Sequence, residues 1–173
     1  MRWFVVFVFL ASSVFAWQPK ESCGVDYPIM YLLAMNERHP KREIGYPYII
    51  SINEKKDSSV IRKFLSEFFI DNRTIDCKNK DRCVKVASIL VKKGYTNIDL
   101  GAFQINYKWH RSDLETFFDI EKSYAFGCKI LKSVIRDKTS ITYEDIAKYH
   151  SFTKKKNSVY ANKLRLHARR LHN

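Results

Sequence analysis

A mainly α-helical single domain is predicted by three observations. Apolar residues recur at three- and four-residue spacing in several segments, as on one face of a helix. Glycine and proline number only five and four, which argues against a fibrous or disordered chain. Beyond a short N-terminal leader, residues 17–173 have the length of one domain around one core.

The leader comes first. Met1-Arg2 gives a charged tip, Trp3 to Leu10 an apolar run, and Val14 and Ala16 the small residues that precede a signal-peptidase cut. A bilayer span takes about 20 apolar residues, more than this run offers. Residues 1–16 are therefore read as a cleaved secretory signal, and 17–173 as the folded domain.

Asp26 is placed to cap the first helix, with Pro28 in its first turn. Met30, Leu33, Ala34 and Glu37 share a face of it, and His39-Pro40 closes it. Gly45 to Asn53 carries β-branched residues and suits a short extended segment. A second helix starts at Asp57 or Ser58, with Val60, Ile61, Phe64, Leu65 and Phe68 as its stripe. A third runs from about Arg82 to Lys93 and stops at Gly94. The amide-rich stretch after Asp99 is expected to form a short helix from near Leu100. Ile120 to Ile135 reads as a long helix. Thr142 and Asp145 form a capping pair for a helix over Ile146 to His150. The basic tail from Lys154 is either a last packed helix, through Val159, Tyr160, Leu164 and Leu166, or a polymer-binding surface.

All four cysteines, Cys23, Cys77, Cys83 and Cys128, follow the leader. An even count in an exported chain points to two disulfides. Three pairings are open. Cys77–Cys83 would clip the polar segment between them, and Cys23–Cys128 would tie the N-terminus to the long helix. Zinc is disfavoured for want of a tight Cys-x-x-Cys pair. The formal net charge is +13, which draws anions. Export turns that preference from nucleic acid to acidic envelope polymers.

Glu37 is the first candidate for chemistry. It ends a helix, where the dipole disfavours a carboxylate, and it follows an apolar run. Both effects favour the neutral acid, the form that protonates a leaving oxygen. Gly101, Phe103, Gln104 and Asn106 form a second cluster: Gly101 for close approach, Phe103 for stacking, and the amides for binding or bracing. Asp99 is a second carboxylate or a helix cap. Tyr149 can donate its hydroxyl to a substrate carbonyl or to Glu37. A Ser151–His150 hydrolase is disfavoured, because adjacent side chains diverge and no nucleophile-elbow pattern is present.

These residues carry a resemblance. Gly101-Ala102-Phe103-Gln104-Ile105-Asn106 is similar to the Gly-Leu-Met-Gln-Ile-Asn signature of soluble lytic transglycosylases, relatives of goose-type lysozyme. Ile98-Asp99-Leu100 before it and His110 after it resemble a subgroup associated with secretion and conjugation machinery. Leu33-Ala34-Met35-Asn36-Glu37 resembles that subgroup's glutamate helix. Tyr46-Pro47-Tyr48 through Asn53 resembles its aromatic-proline-aromatic segment, and Tyr149-His150-Ser151 its Tyr-His-Ser. The match spans about residues 26–165. It implies a lysozyme-like, lytic transglycosylase fold with Glu37 and Tyr149 as catalytic residues. Gly101, Phe103, Gln104, Asn106 and Tyr48 would bind substrate. It implies peptidoglycan as substrate, cut between N-acetylmuramic acid and N-acetylglucosamine with a 1,6-anhydro end. No metal or other cofactor is implied. A periplasmic monomer would serve a secretion, conjugation, pilus or flagellar assembly. The alternatives are a lysozyme-like hydrolase and a catalytically weak wall-binding assembly protein. Arg38 stands where the family has serine. It is expected either to lower the pKa of Glu37 or to point away and bind a peptide carboxylate.

Overall fold

The computed structural model describes residues 19–20, 23–136 and 140–172; the expected signal peptide lies outside the described residues. The fold is mainly helical, with a small open antiparallel sheet. Its elements are α1 (Tyr27–Glu37), β1 (Ile49–Ile52), α2 (Lys55–Leu65), β2 (Thr74–Asp76), α3 (Lys80–Lys92), β3 (Ile98–Leu100), β4 (Ile105–Asn106), α4 (Leu114–Phe118), α5 (Ile120–Ile135), α6 (Tyr143–Ala147) and α7 (Lys154–His172). The sheet order is β2-β1-β3-β4.

Strand β1 is the sheet's inner rail. Every residue from Ile49 to Ile52 is buried, as expected of a short run packed on both sides. It pairs with β2 (Ile50 opposite Ile75) and with β3 (Ile50 opposite Leu100). The core joins this sheet to the inner faces of the helices through Leu33, Ile61, Leu90, Phe103, Phe117, Leu131 and Leu164.

Several helix expectations hold. Helix α5 spans Ile120–Ile135, and Tyr124, Gly127, Cys128, Leu131 and Ile135 are buried on it. Thr142 and Asp145 form a reciprocal capping box that opens α6, which ends at Ala147 and does not reach the expected His150. The basic tail is a packed helix, with Tyr160, Ala161, Leu164 and Ala168 inward; Val159 and Leu166, expected to pack, are exposed. Asp26 sits at the N-cap of α1 but makes no side-chain cap hydrogen bond. In α2 the stripe is narrower than expected: Ile61 and Leu65 are buried while Val60 and Phe64 are exposed.

The largest departure lies at residues 98–106. The expected helix is a tight hairpin, with Asp99 opposite Asn106 and Leu100 opposite Ile105. Gly101 (φ 73°) and Gln104 (φ 45°) both take left-handed backbone in its turn. The Gln104 N–H donates to the Gly101 carbonyl at 3.2 Å. A two-residue period explains the choice: Ile98 and Leu100 enter the core while Asp99 turns the other way. A helix would have left one of these faces mismatched.

Both expected disulfides are present, Cys23–Cys128 and Cys77–Cys83. Cys83 lies within α3, so the second bridge fastens the end of β2 to the first turn of a helix. Beside it, the buried Asp76 accepts from Arg42 Nε at 2.7 Å, Tyr46 at 2.8 Å and Lys78 Nζ at 2.8 Å. Burial pushes this carboxyl up, but Lys78, Arg42 and Tyr46 outweigh it and hold it at about 2. The cluster anchors the loop that follows Glu37 to the sheet.

Candidate active site

A cleft of about 640 Å³ runs between the hairpin and the α6–α7 corner. Glu37, Asp99, Gln104, Asn106, Tyr149 and His150 all line it. Residues far apart in sequence are thus brought to one surface by three structural units: the end of α1, the β3–β4 hairpin and the turn after α6.

Glu37 is the last residue of α1 and is half-buried. Its Oε1 accepts a hydrogen bond from the Tyr160 hydroxyl at 2.5 Å. Desolvation raises its pKa from 4.5 to about 8. The Tyr160 hydrogen bond opposes that rise, Asp99 adds to it, and Lys163 and Arg73 oppose it. A carboxylic acid that stays protonated at neutral pH is the outcome. Of the two courses expected of Arg38, lowering the pKa of Glu37 or pointing away, the structure shows the second: its guanidinium donates to the Arg42 carbonyl at 3.3 Å, on the exposed side of the helix end.

Asp99 faces the same cleft from β3. Burial raises its pKa, against the Asn53 and Asn106 side chains and Arg73. Asn106 Nδ2 donates to Asp99 Oδ1 at 2.7 Å and to Asn97 Oδ1 at 3.1 Å. Its own carbonyl oxygen accepts from the Lys108 N–H. Asn106 therefore braces the hairpin floor. Gln104 Nε2 donates to the Gly101 carbonyl at 2.8 Å, which fixes the amide in the turn at the cleft wall.

Three expected roles change. Phe103 does not stack on a ligand; it is 1% exposed and packs against Gly127 and Tyr124 in the core. Gly101 makes its close approach to protein, since a Cβ there would lie 1.9 Å from the Phe117 carbonyl oxygen. Tyr48 packs edge-on against Tyr46 and is not part of the cleft lining.

Tyr149 lines the cleft, but its hydroxyl donates to the Phe103 carbonyl at 2.9 Å. Of the two contacts expected of Tyr149, to Glu37 or to a substrate carbonyl, the one to Glu37 is made by Tyr160. Burial pushes the Tyr149 and Tyr160 phenols well above their ordinary value, and Glu37 adds to both shifts. Sequence reading placed Tyr160 among the packing residues of the tail. The available signal is chemical: a tyrosine facing inward needs a partner for its hydroxyl, and a carboxylate is one such partner.

His150 stacks on Tyr160, with ring centroids 4.8 Å apart and planes 13° apart. Burial lowers its pKa, although Asp99 pulls the other way. Ser151 Oγ accepts from the Thr153 N–H, an ordinary turn contact. Trp109 and Phe152, respectively 72% and 75% exposed, also border the cleft. Lys148 and Lys156 add cationic groups to the same lining. The arrangement combines a neutral acid, fixed amides and exposed aromatic rings, and it can hold and protonate a polar ligand. No family model, curated protein or solved structure matches this chain.

Proposed function

We propose that the protein is a peptidoglycan lytic transglycosylase with a lysozyme-like catalytic domain and Glu37 as its acid. The observation that carries this reading is Glu37 itself, a carboxyl raised to about 8 at the wall of a polar cleft and held by Tyr160. Tyr160 engages Oε1, so the acidic proton sits on the other oxygen, free to meet a ligand. Protonated Glu37 gives that proton to the oxygen joining N-acetylmuramic acid to N-acetylglucosamine, and the bond to the sugar carbon breaks. The substrate's acetamido oxygen stabilises the positive sugar centre. Glu37, now a carboxylate, takes the proton of the sugar's own C6 hydroxyl as that oxygen closes a 1,6-anhydro ring. One enzyme carboxylate suffices, and its proton is returned at the end of the cycle.

A second reading has a specific observation in its favour. Asp99 shares the cleft and is felt electrostatically at Glu37. A second carboxylate suits a hydrolase that activates water. The Asn53, Asn106 and Arg73 contacts of Asp99 favour a bracing role instead.

The test is release of muropeptides from purified wall by wild type, Glu37→Gln and Asp99→Asn, analysed by mass. Glu37→Gln is expected to lower release by at least ~10²-fold, the lower end of what general-acid catalysis contributes, with wall binding retained. Anhydro ends, one water lighter than reducing ends, identify the transglycosylase; reducing ends identify the hydrolase. Equal release by wild type and Glu37→Gln would overturn the assignment of the acid. No release by wild type, with binding intact, would leave a wall-binding assembly protein.

A further inference from the structure

Helix α7 has two faces with different chemistry. Tyr160, Ala161, Leu164 and Ala168 are buried where the helix packs on α1 and α6. On the opposite side, Val159 and Leu166 are 56% and 52% exposed. They are two helical turns apart and so share one stripe. Apart from the cleft residues Trp109 and Phe152, they are the most exposed large apolar side chains among the described residues.

The surroundings of that stripe are cationic. Helix α7 carries seven Lys and Arg residues and no Asp or Glu along its 19 residues. Lys155, Lys163 and Arg170 lie three or four residues from Val159 or Leu166, which makes them neighbours on the helix surface. Arg165 is engaged elsewhere, by Glu144.

We propose that the outward face of α7 docks the protein on an anionic lipid bilayer. A bilayer surface supplies both things this face needs: lipid phosphates for the cations, and an acyl boundary for Val159 and Leu166. Lys and Arg stems lie along such a boundary while their charged ends stay at the headgroups. A soluble acidic polymer would use the cations and leave the two apolar side chains in water. A second copy of this chain would set like charges against each other. The helix lies on the bilayer and does not enter it: among the described residues no helix is long and apolar enough to cross a membrane. Because Tyr160 of the same helix holds Glu37, docking would set the cleft at a fixed attitude to the membrane.

The experiment is co-sedimentation of the purified protein with vesicles of phosphatidylcholine alone or mixed with phosphatidylglycerol. Binding is expected to the mixed vesicles and not to the neutral ones. The double variant Lys155→Glu, Arg170→Glu is expected to lower the partition coefficient by at least ~25-fold, about fivefold for each cation lost. The charge-neutral double variant Val159→Ser, Leu166→Ser is expected to lower it about tenfold or more. All four positions lie outside the cleft lining, so unchanged melting curves and unchanged release from detached wall fragments are expected alongside. Undiminished binding by the Val159→Ser, Leu166→Ser variant, which changes no charge, would show that the apolar stripe is not engaged, point to a soluble anionic polymer and overturn the proposal. Absence of binding to mixed vesicles, or equal binding to neutral ones, would overturn it too. Neither result bears on wall cleavage by wild type, so the two proposals fail separately.

Discussion

Glu37 and Tyr160 form a pair in which each depends on the other. The phenol orients the acid, and it also lowers the pKa that burial raises. Tyr160→Phe is therefore expected to have two opposite signatures. Turnover on purified wall should fall by roughly 10- to 100-fold, because the acid loses its fixed geometry. The alkaline limb of the pH profile should move upward, because the hydrogen bond that favoured the carboxylate is gone. In the wild type that limb should lie near 8, with activity held through neutral pH and lost as the acid ionises. Arg38, which points to the Arg42 carbonyl, should change the limb little when replaced by Ser. Tyr149→Phe should act differently from Tyr160→Phe. It leaves the Phe103 carbonyl without its donor and should cost roughly 1 kcal/mol of stability by thermal melting, with a smaller loss of turnover.

At the scale of elements, the β3–β4 hairpin presents Asp99, Gln104 and Asn106 to one cleft. Its turn depends on Gly101, where φ is positive and the Phe117 backbone occupies the space of a Cβ. Gly101→Ala should cost about 3 kcal/mol or more in denaturant unfolding and should loosen the Gln104 amide even in the folded fraction. The sheet alternation at Ile98, Asp99 and Leu100 was legible in the sequence but brief. Three residues show a period of two only weakly, and the neighbouring Ala102, Phe103 and Gln104 suit a helix as well. Pairing with β1 decided the outcome, and β1 lies almost 50 residues earlier. Longer elements were clearer, because α5 repeats its stripe over four turns and the Thr142–Asp145 box marks the start of α6.

At the scale of the molecule, the two disulfides differ in what they constrain. Cys23–Cys128 closes a loop with a sequence separation of 105 and Cys77–Cys83 one of 6. In the chain-entropy account the first contributes roughly 5 kcal/mol and the second roughly 2. Replacing Cys23 and Cys128 by serine should therefore lower the denaturant midpoint more than replacing Cys77 and Cys83. Stability should also carry the signature of Glu37. Its folded pKa, about 8, lies above the ordinary 4.5, so the folded state holds a proton that the unfolded chain releases between those values. Below 4.5 the shift costs nothing; as pH rises towards 8 it removes stability. Glu37→Gln should stabilise the protein by on the order of 3 kcal/mol at alkaline pH, discounted for water in the cleft, and by little in acid. A stability gain that is the same at both extremes would contradict the burial of this acid.

The sequence alone determined what local chemistry and counting can determine. Helical spacing predicted the long helices, the capping pair marked one helix start, and an even count of four cysteines behind an expected signal led to the two pairs that form. It also raised Glu37 as a candidate, through its place at a helix end after an apolar run, although that segment alone suits a solvated helix end beside Arg38 as well and only the resemblance singled the residue out. Only the tertiary structure decided which groups meet that acid. Tyr160 and Glu37 are joined across the packing of α7 on α1, and no spacing along the chain encodes that register. The same packing turned Val159 and Leu166 outward, and packing of the hairpin turn on Tyr124 and Gly127 of α5 placed Phe103 in the core. An apolar residue satisfies a core or a surface by burial alone, and burial is a property of the assembled helices.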